Sequence, residues 1–248
     1  MVVPLETLAW AALIVFGAYA VFGLAGFGSA ITATPLLAQI MPLHSAVPMM
    51  LLLDTCSSLY LGSRNRRIVQ GRELLRLLPF AVIGIVLGVT VLVHAPERWL
   101  LLALGLFVAG YAGWKLLVRP GPVRQIASAW AAPVGTAGGV FTALFGVGGP
   151  IYTLYLAGRI HDKQALRATM STMVLMTACI RLPMFVIAGL YANGQALHMA
   201  LWLLPCAFAG MVLGSHVHSR LPTERITQAL WVLLLVSGAG LIWRHALA

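Results

Sequence analysis

Long apolar runs separated by short polar breaks dominate this sequence, and they limit the chain to a membrane-embedded fold. Several runs approach or exceed the roughly 20 residues that a helix needs to cross a bilayer. Of the 248 residues, 60% are hydrophobic and 9% are charged, whereas about 25% are charged in a typical soluble domain. No polar break is long enough for a soluble domain, so we predict an all-helical polytopic membrane protein with a single domain over residues 1–248. The apolar segments lie at about 5–25, 29–42, 44–63, 74–94, 98–117, 126–145, 149–158, 165–191, 196–218 and 225–244.

The lysines and arginines give this predicted domain an orientation. These residues are retained in cytoplasmic loops, and alternation of the segments puts thirteen of the sixteen on one side, whereas only Arg98 and Arg244 fall on the other and Arg181 lies inside a segment. The thirteen are Arg64, Arg66, Arg67, Arg72, Arg76, Lys115, Arg119, Arg124, Arg159, Lys163, Arg167, Arg220 and Arg225. We therefore expect both termini to face the periplasm, and the cytoplasmic loops to be 64–76, 118–125, 159–167 and 219–225. Placement of the cations in cytoplasmic loops accounts for the net charge of +10, because such loops can lie against anionic lipid of the bilayer. No nucleic-acid partner is therefore expected.

Two of the segments are interrupted by glycine clusters, "GFGS" at 26–29 and "GVGG" at 146–149. Segment 149–158 is too short to cross a bilayer at about 1.5 Å of rise per residue, yet the arginines on both sides of 126–158 belong on one face. A broken helix that enters, breaks at the glycines and returns satisfies both observations, and region 5–42 behaves likewise from the opposite side. The longer limb of each hairpin can either cross the membrane fully or re-enter, because both arrangements give the later segments the same orientation.

The two halves of the chain resemble each other. "LLPFAVIGIVLG" at 77–88 matches "LLPCAFAGMVLG" at 203–214 in eight of twelve positions, and "GFGSAITATPLLA" at 26–38 corresponds to "GVGGPIYTLYLAG" at 146–158. Each half holds five segments, an odd number, so a second copy must enter the membrane upside down. We predict a first repeat over 1–118 and a second, inverted repeat over 126–248. Inverted repeats with matched broken helices are typical of secondary transporters.

Glycines in this pattern have two possible roles. Gly84 with Gly88, and Gly210 with Gly214, have the GxxxG spacing of close helix packing. The crowded glycines at the two breaks favour a binding role instead, because each cluster precedes a short helix. Ser29 can cap the first short helix, and Gly149 and Pro150 occupy the N-cap and first-turn positions of the second.

The N-terminus of a helix carries about half a positive charge and free amide groups, so it binds anions. Such groups are costly inside a bilayer unless they meet a ligand or a cavity. Two broken helices meeting from opposite sides therefore predict one anion site near the midplane. Its candidate substrate-binding residues are Gly26, Phe27, Gly28, Ser29, Gly146, Val147, Gly148, Gly149 and Arg181.

Ionisable residues inside apolar segments are functional candidates by default. Arg181 is suited to bidentate contact with a sulfonate or carboxylate. Asp54 could carry a coupling proton, or it could form a structural ion pair with Arg181. Nearby hydroxyl groups could bind substrate oxygens or bond carbonyls of their own helices; these belong to Ser57, Ser58, Ser171, Thr172 and Thr177.

The paired motifs "GFGSAITATPLL" and "GVGGPIYTLYLAG", the basic loop after the third segment and the length resemble the sulfite exporter TauE/SafE family of bacterial membrane transporters. The resemblance covers essentially the whole chain, which departs from the usual triple-glycine form at Ser29, Ala30 and Pro150. It implies transport, with export the favoured direction, of sulfur-containing anions such as sulfite or sulfonates across the inner membrane.

Other classes of protein fit the sequence less well. A membrane-embedded enzyme would need a catalytic cluster, and an assembly factor for a respiratory complex has no use for duplicated midplane breaks. The histidines lie at segment ends, and the three cysteines lack metal-ligand spacing. We therefore expect neither cofactor nor metal, and the candidate coupling ions are a proton and sodium. The oligomeric state is left open.

Overall fold

The computed structural model describes residues 5–64, 68–117, 125–217 and 223–246, and all regular structure in this part of the chain is helical. Five of the described helices are long and apolar enough to cross a bilayer, at 6–25, 71–94, 97–117, 163–187 and 195–216. The predicted all-α polytopic fold is confirmed. The helices are α1 (Leu5–Ala25), α2 (Ser29–Leu37), α3 (Leu43–Arg64), α4 (Gly71–His94), α5 (Glu97–Leu117), α6 (Ala131–Phe145), α7 (Gly149–Ala157), α8 (Lys163–Ile187), α9 (Gln195–Val217) and α10 (Thr223–Ala246), with a 3-10 turn at Ser128–Trp130.

Three predicted segments have different ends in the structure. α2 stops at Leu37 rather than at 42, because the chain turns over the next residues and Pro42 cannot continue a helix. α6 begins at Ala131 rather than at 126, after the 3-10 turn. α8 stops at Ile187 rather than at 191, because Gly189 (φ 73°) has the left-handed conformation that ends helices.

The predicted cytoplasmic loops are only partly described. Residues 65–67, 118–124 and 218–222 lie outside the described part of the chain, so Arg66, Arg67, Arg119, Arg124 and Arg220 lie outside it too. Elsewhere the loops are shorter than predicted, because α4 begins at Gly71 and α8 at Lys163. The predicted loop arginines and lysine that are helical are Arg64, Arg72, Arg76, Lys163, Arg167 and Arg225.

The two halves of the bundle pack against each other reciprocally. α4 packs along α6, and α1 packs along α9, so that each half places its fourth helix against the first helix of the other. α3 packs on α8, and α5 packs on α10. A two-fold relationship between the halves would produce these pairings; the repeat boundaries at 1–118 and 126–248 stay predictions from the sequence.

Both GxxxG pairs lie at these reciprocal contacts. Gly84 and Gly88 of α4 face the main chain of α6, and Gly210 and Gly214 of α9 face that of α1. A Cβ atom at Gly88 would lie 2.7 Å from the carbonyl oxygen of Val140, closer than real Cβ atoms approach. The predicted packing role of these four glycines is confirmed.

The outward faces of the helices are apolar as well. On α4, Leu77, Ala81 and Ile85 are buried in the bundle, whereas Leu75 and Ile83 on the opposite side are exposed. A helix that is apolar all round needs a nonpolar surrounding on every side. The bundle is therefore a multi-pass membrane domain, with lipid covering its outer surface.

Candidate functional site

Both hairpins break at a glycine in the left-handed conformation. Gly26 (φ 79°) follows the last residue of α1, and Gly146 (φ 75°) follows the last residue of α6. Gly28 (φ 102°) is also left-handed and directly precedes α2. Residues with side chains rarely adopt this conformation, so at these three positions the backbone itself requires glycine.

The N-cap of each short helix lies one residue earlier than the sequence predicted, before Ser29 and before Gly149. The N-cap of α2 is Gly28 and that of α7 is Gly148, and no side chain bonds either end. The predicted capping role of Ser29 is therefore wrong, since Ser29 is the first helical residue and its hydroxyl points elsewhere. Among the described residues, no acceptor meets the amides of Ala30 and Ile31. The start of α2 therefore presents two main-chain donors with no described acceptor.

The two breaks contact each other in the interior of the bundle. A Cβ atom at Gly149 would lie 2.9 Å from the ring of Phe27, and one at Gly146 would lie 2.8 Å from Cβ of Ala30. Val147 is buried beside them. The structure therefore brings the two predicted motifs, which are distant in sequence, to one place.

Asp54 lies beside the first break. It stands halfway along α3, is 2% exposed, and accepts hydrogen bonds from the hydroxyls of Tyr19 and Ser29, both at 2.7 Å. Ser29 thus links the carboxylate to the start of α2. Sequence reasoning missed Tyr19, because nothing in the pattern of α1 distinguishes this tyrosine from a core residue.

Arg181 lies beside the second break. It is 1% exposed and donates from Nη1 to the carbonyl oxygen of Thr142 at 2.8 Å, near the end of α6. The same nitrogen would lie 4.0 Å from a Cβ atom at Gly146. The ion pair that the sequence left open is not formed: Asp54 and Arg181 interact electrostatically, but in the described part of the chain the ion pairs within 4.0 Å all involve Glu73.

Four buried side-chain atoms in the described part of the chain have no hydrogen-bond partner, and all four lie on α3 and α8. They are Oγ of Ser57, Oγ of Ser58, Nε of Arg167 and Nε of Arg181. Buried polar groups are nearly always hydrogen-bonded. These two packed helices therefore hold buried polar atoms that could form additional hydrogen bonds. The hydroxyls of Ser171, Thr172 and Thr177 instead bond carbonyls of α8 itself.

Arg167 has a position that the sequence did not indicate. Predicted as a loop residue, it lies in α8 and donates from Nη2 to the carbonyl oxygen of Gly23, near the end of α1. A Cβ atom at Gly26 would lie 2.7 Å from the carbonyl oxygen of Arg167. Two arginines of one helix therefore reach the two breaks, Arg167 the first and Arg181 the second.

Close packing accounts for Gly148 without any ligand. A Cβ atom there would overlap Oγ1 of Thr142 and lie 2.7 Å from the carbonyl oxygen of Gly138. At Gly28 the corresponding position is 3.4 Å from Val21, an ordinary contact. The two clusters therefore differ: the first requires glycine for its backbone conformation, and the second partly for space.

A separate charged cluster, centred on Glu73, lies at the end of the bundle where α4 begins. The carboxylate of Glu73 accepts from Arg159 at 2.9 Å, Arg76 at 2.8 Å and the hydroxyl of Tyr155 at 2.9 Å. Arg159 also donates to the carbonyl oxygen of Ile126 at 3.1 Å and lines a cavity of about 500 Å³. The sequence placed Glu73, Arg76 and Arg159 only as loop charges, since their contacts join distant segments.

The opposite end of the bundle holds the two arginines predicted outside. Arg98 donates to the carbonyl oxygen of His245 at 3.0 Å, and Arg244 to that of Gln39 at 3.4 Å. Among the described residues, no group of His, Cys, Asp or Glu is arranged to hold a metal ion.

The known proteins that this chain resembles are membrane transporters, in agreement with its multi-pass helical fold. The family model described as Sulfite exporter TauE/SafE matches residues 11–241. The protein named "Probable inner membrane transporter protein TsaS" from Comamonas testosteroni is 28% identical over 200 residues, which cover 79% of this chain and 83% of that protein. No solved structure matches the chain.

Proposed function

This chain belongs to the sulfite exporter TauE/SafE family of membrane transporters, and from that premise we propose that it exports small sulfur-containing or organic anions, such as sulfite or sulfonates, across the bacterial inner membrane. The anion binds where the two breaks meet, between α3 and α8. The family and the similar transporter indicate a carrier rather than the alternatives, a membrane-embedded enzyme or an assembly factor.

The observation that carries this proposal is the buried, incompletely bonded guanidinium of Arg181 at the second break. It is 1% exposed, and its Nε has no partner. A buried cation is costly unless it is paired, and Asp54 is not within ion-pair distance. An anion beside Arg181 would supply the missing charge and hydrogen bond.

We assign further donors on α2 and α3 to the proposed site. The amides of Ala30 and Ile31 offer donors at the positive end of α2. The free hydroxyls of Ser57 and Ser58 can donate to oxygen atoms of the substrate. A sulfite or sulfonate group, with three oxygen atoms sharing a negative charge, matches several donors converging from different helices. Gly148 contributes shape rather than a contact.

Exchange in proteoliposomes tests the proposal. Vesicles that contain the protein and are preloaded with unlabelled sulfite, sulfoacetate or taurine should take up the labelled compound from outside. Protein-free vesicles control for leakage. Vesicles preloaded with unlabelled lactate show whether a carboxylate can replace the sulfur-containing anion in the exchange. The proposal is wrong if no sulfur-containing or organic anion exchanges above the protein-free rate.

A further inference from the structure

Asp54 is a carboxyl group whose charge has no partner at ion-pair distance. It is 2% exposed, and burying a charge is costly unless the group is paired or protonated. Both hydrogen bonds that it accepts, from Tyr19 and Ser29, end on Oδ1. This arrangement leaves Oδ2 available to carry a proton.

Asp54 and the proposed anion site share one residue, Ser29. Its hydroxyl donates to the carboxylate at 2.7 Å, and it is the first residue of α2. An anion held by the next two amides of α2 therefore lies beside the carboxylate. Two negative charges repel strongly in a medium of low dielectric constant. Binding of the anion consequently favours the neutral form of Asp54.

We infer that Asp54 is the proton-binding group of this carrier, and that each anion binds together with one proton. The inference rests on the proposed function and names the proton, rather than sodium, as the coupling ion. The proton moves from water to Oδ2 of Asp54 when the anion binds and returns to water when the anion leaves. No other bond is made or broken.

The surroundings of Asp54 favour this role over permanent charge neutralisation. In the described part of the chain, the charged and titratable groups that interact with it are Tyr19 of α1 and Arg181 of α8. α2 contributes Ser29, which carries no charge, and Cys56 is the neighbouring titratable group on α3 itself. Arg181 is committed to the carbonyl oxygen of Thr142 at the other break. A neutral carbonyl does not balance the positive charge of Arg181, so that charge is available to the anion. A proton, rather than Arg181, then neutralises Asp54.

Counting protons on anion binding tests this inference. Methanesulfonate is a suitable probe because it stays fully ionised between about pH 5 and 8, so any proton taken up belongs to the protein. Calorimetry of the purified full chain in two buffers of different ionisation enthalpy gives the number of protons per anion. At pH values where Asp54 is ionised in the free protein, we expect the wild type to take up about one proton per anion. The dissociation constant should rise about tenfold per pH unit once Asp54 is ionised in the free protein.

Asp54→Asn imitates the protonated carboxyl group, so it should bind the probe without proton uptake and with an affinity independent of pH. Asp162→Asn is the matched control, because the side chain of Asp162 accepts from the amide of Ala165 at the start of α8 and asparagine caps equally well. It should keep the proton uptake of the wild type. Asp54→Ser provides a second neutral variant if Asp54→Asn does not fold.

The outcomes separate this inference from the proposed function. Anion binding by the wild type without proton uptake and with an affinity independent of pH across the tested range, or binding only in the presence of sodium, overturns the inference and leaves the proposed function standing. Proton uptake that persists in both neutral variants overturns the assignment to Asp54. Failure of the wild type to bind methanesulfonate, sulfite and sulfoacetate overturns both.

Discussion

Arg181 of α8 donates a 2.8 Å hydrogen bond to the carbonyl oxygen of Thr142, four residues before the glycine that ends α6. The same carbonyl oxygen also accepts from the amide of Gly146 at 2.9 Å, and a cation near the C-terminus of a helix is favoured by the helix dipole. This contact holds the guanidinium at the second break while its Nε stays unpaired. The arginine thus has a structural contact and a remaining capacity for ligand.

Replacement of Arg181 tests that remaining capacity. Arg181→Gln removes a charge-assisted contact typically worth about 1.5–3 kcal/mol, so the dissociation constant for sulfite or sulfoacetate should rise roughly 10- to 150-fold. Arg98→Gln is the matched control, since Arg98 also donates to a main-chain carbonyl but lies at one end of the bundle. Equal affinities of the two variants, measured by calorimetry on folded protein, would contradict the proposed site.

The reciprocal helix contacts predict which glycines tolerate a methyl group. Gly84→Ala and Gly210→Ala place Cβ against the main chain of the neighbouring helix, and we expect each to lose about 1–3 kcal/mol of stability. At Gly110 no atom lies within 4 Å of the new Cβ. Gly110→Ala should therefore be neutral or stabilising by up to about 1 kcal/mol.

Thermal unfolding in detergent measures the three glycine variants side by side. If Gly84→Ala and Gly210→Ala unfold at the same temperature as Gly110→Ala, the close contacts of α4 with α6 and of α1 with α9 are incorrect. Gly148→Ala belongs with the destabilised group, because its Cβ would overlap Thr142.

The cluster around Glu73 should contribute to stability. Glu73→Ala removes the acceptor of the Tyr155 hydroxyl and one of the two acceptors of Arg159, and we expect a loss of about 1–3 kcal/mol. Glu6→Gln, at the exposed start of α1, is a control that removes a carboxylate without such contacts. A midpoint of unfolding for Glu73→Ala that equals that of Glu6→Gln would show that the cluster is not maintained in the membrane protein.

The orientation of the bundle follows from the positive charges and can be measured directly. In a chain with Cys56, Cys179 and Cys206 replaced by serine, a cysteine at His161 should react only with reagents that enter the cytoplasm. A cysteine at Asn193, at the other end of α8, should react from outside intact cells. Labelling of the His161 position from outside would reverse the proposed topology, in which both termini are periplasmic.

The sequence predicts the helices of this fold well because hydrophobic length and glycine breaks are local properties. The predicted ends of α4, α5 and α9 agree with the observed ends to within a few residues. The contacts of the site are less predictable, since Tyr19 and Arg167 gain their partners only when distant helices pack. The sequence places Arg167 in a cytoplasmic loop, but α8 begins at Lys163 and includes it.

The glycine clusters illustrate the same difference. Their location at the breaks was predictable, because glycine is costly within a helix. The separate reasons for Gly28 and Gly148, backbone conformation at one and lack of space at the other, depend on neighbours that the sequence does not place.

The reciprocal pairing of helices also determines when the protein can finish assembling. A ribosome releases α1 first, yet the helix along which α1 packs, α9, begins only at Gln195. The long-range contacts of α1 can therefore form only after most of the chain has been synthesised, and a chain that ends before α9 lacks the partner along which α1 packs.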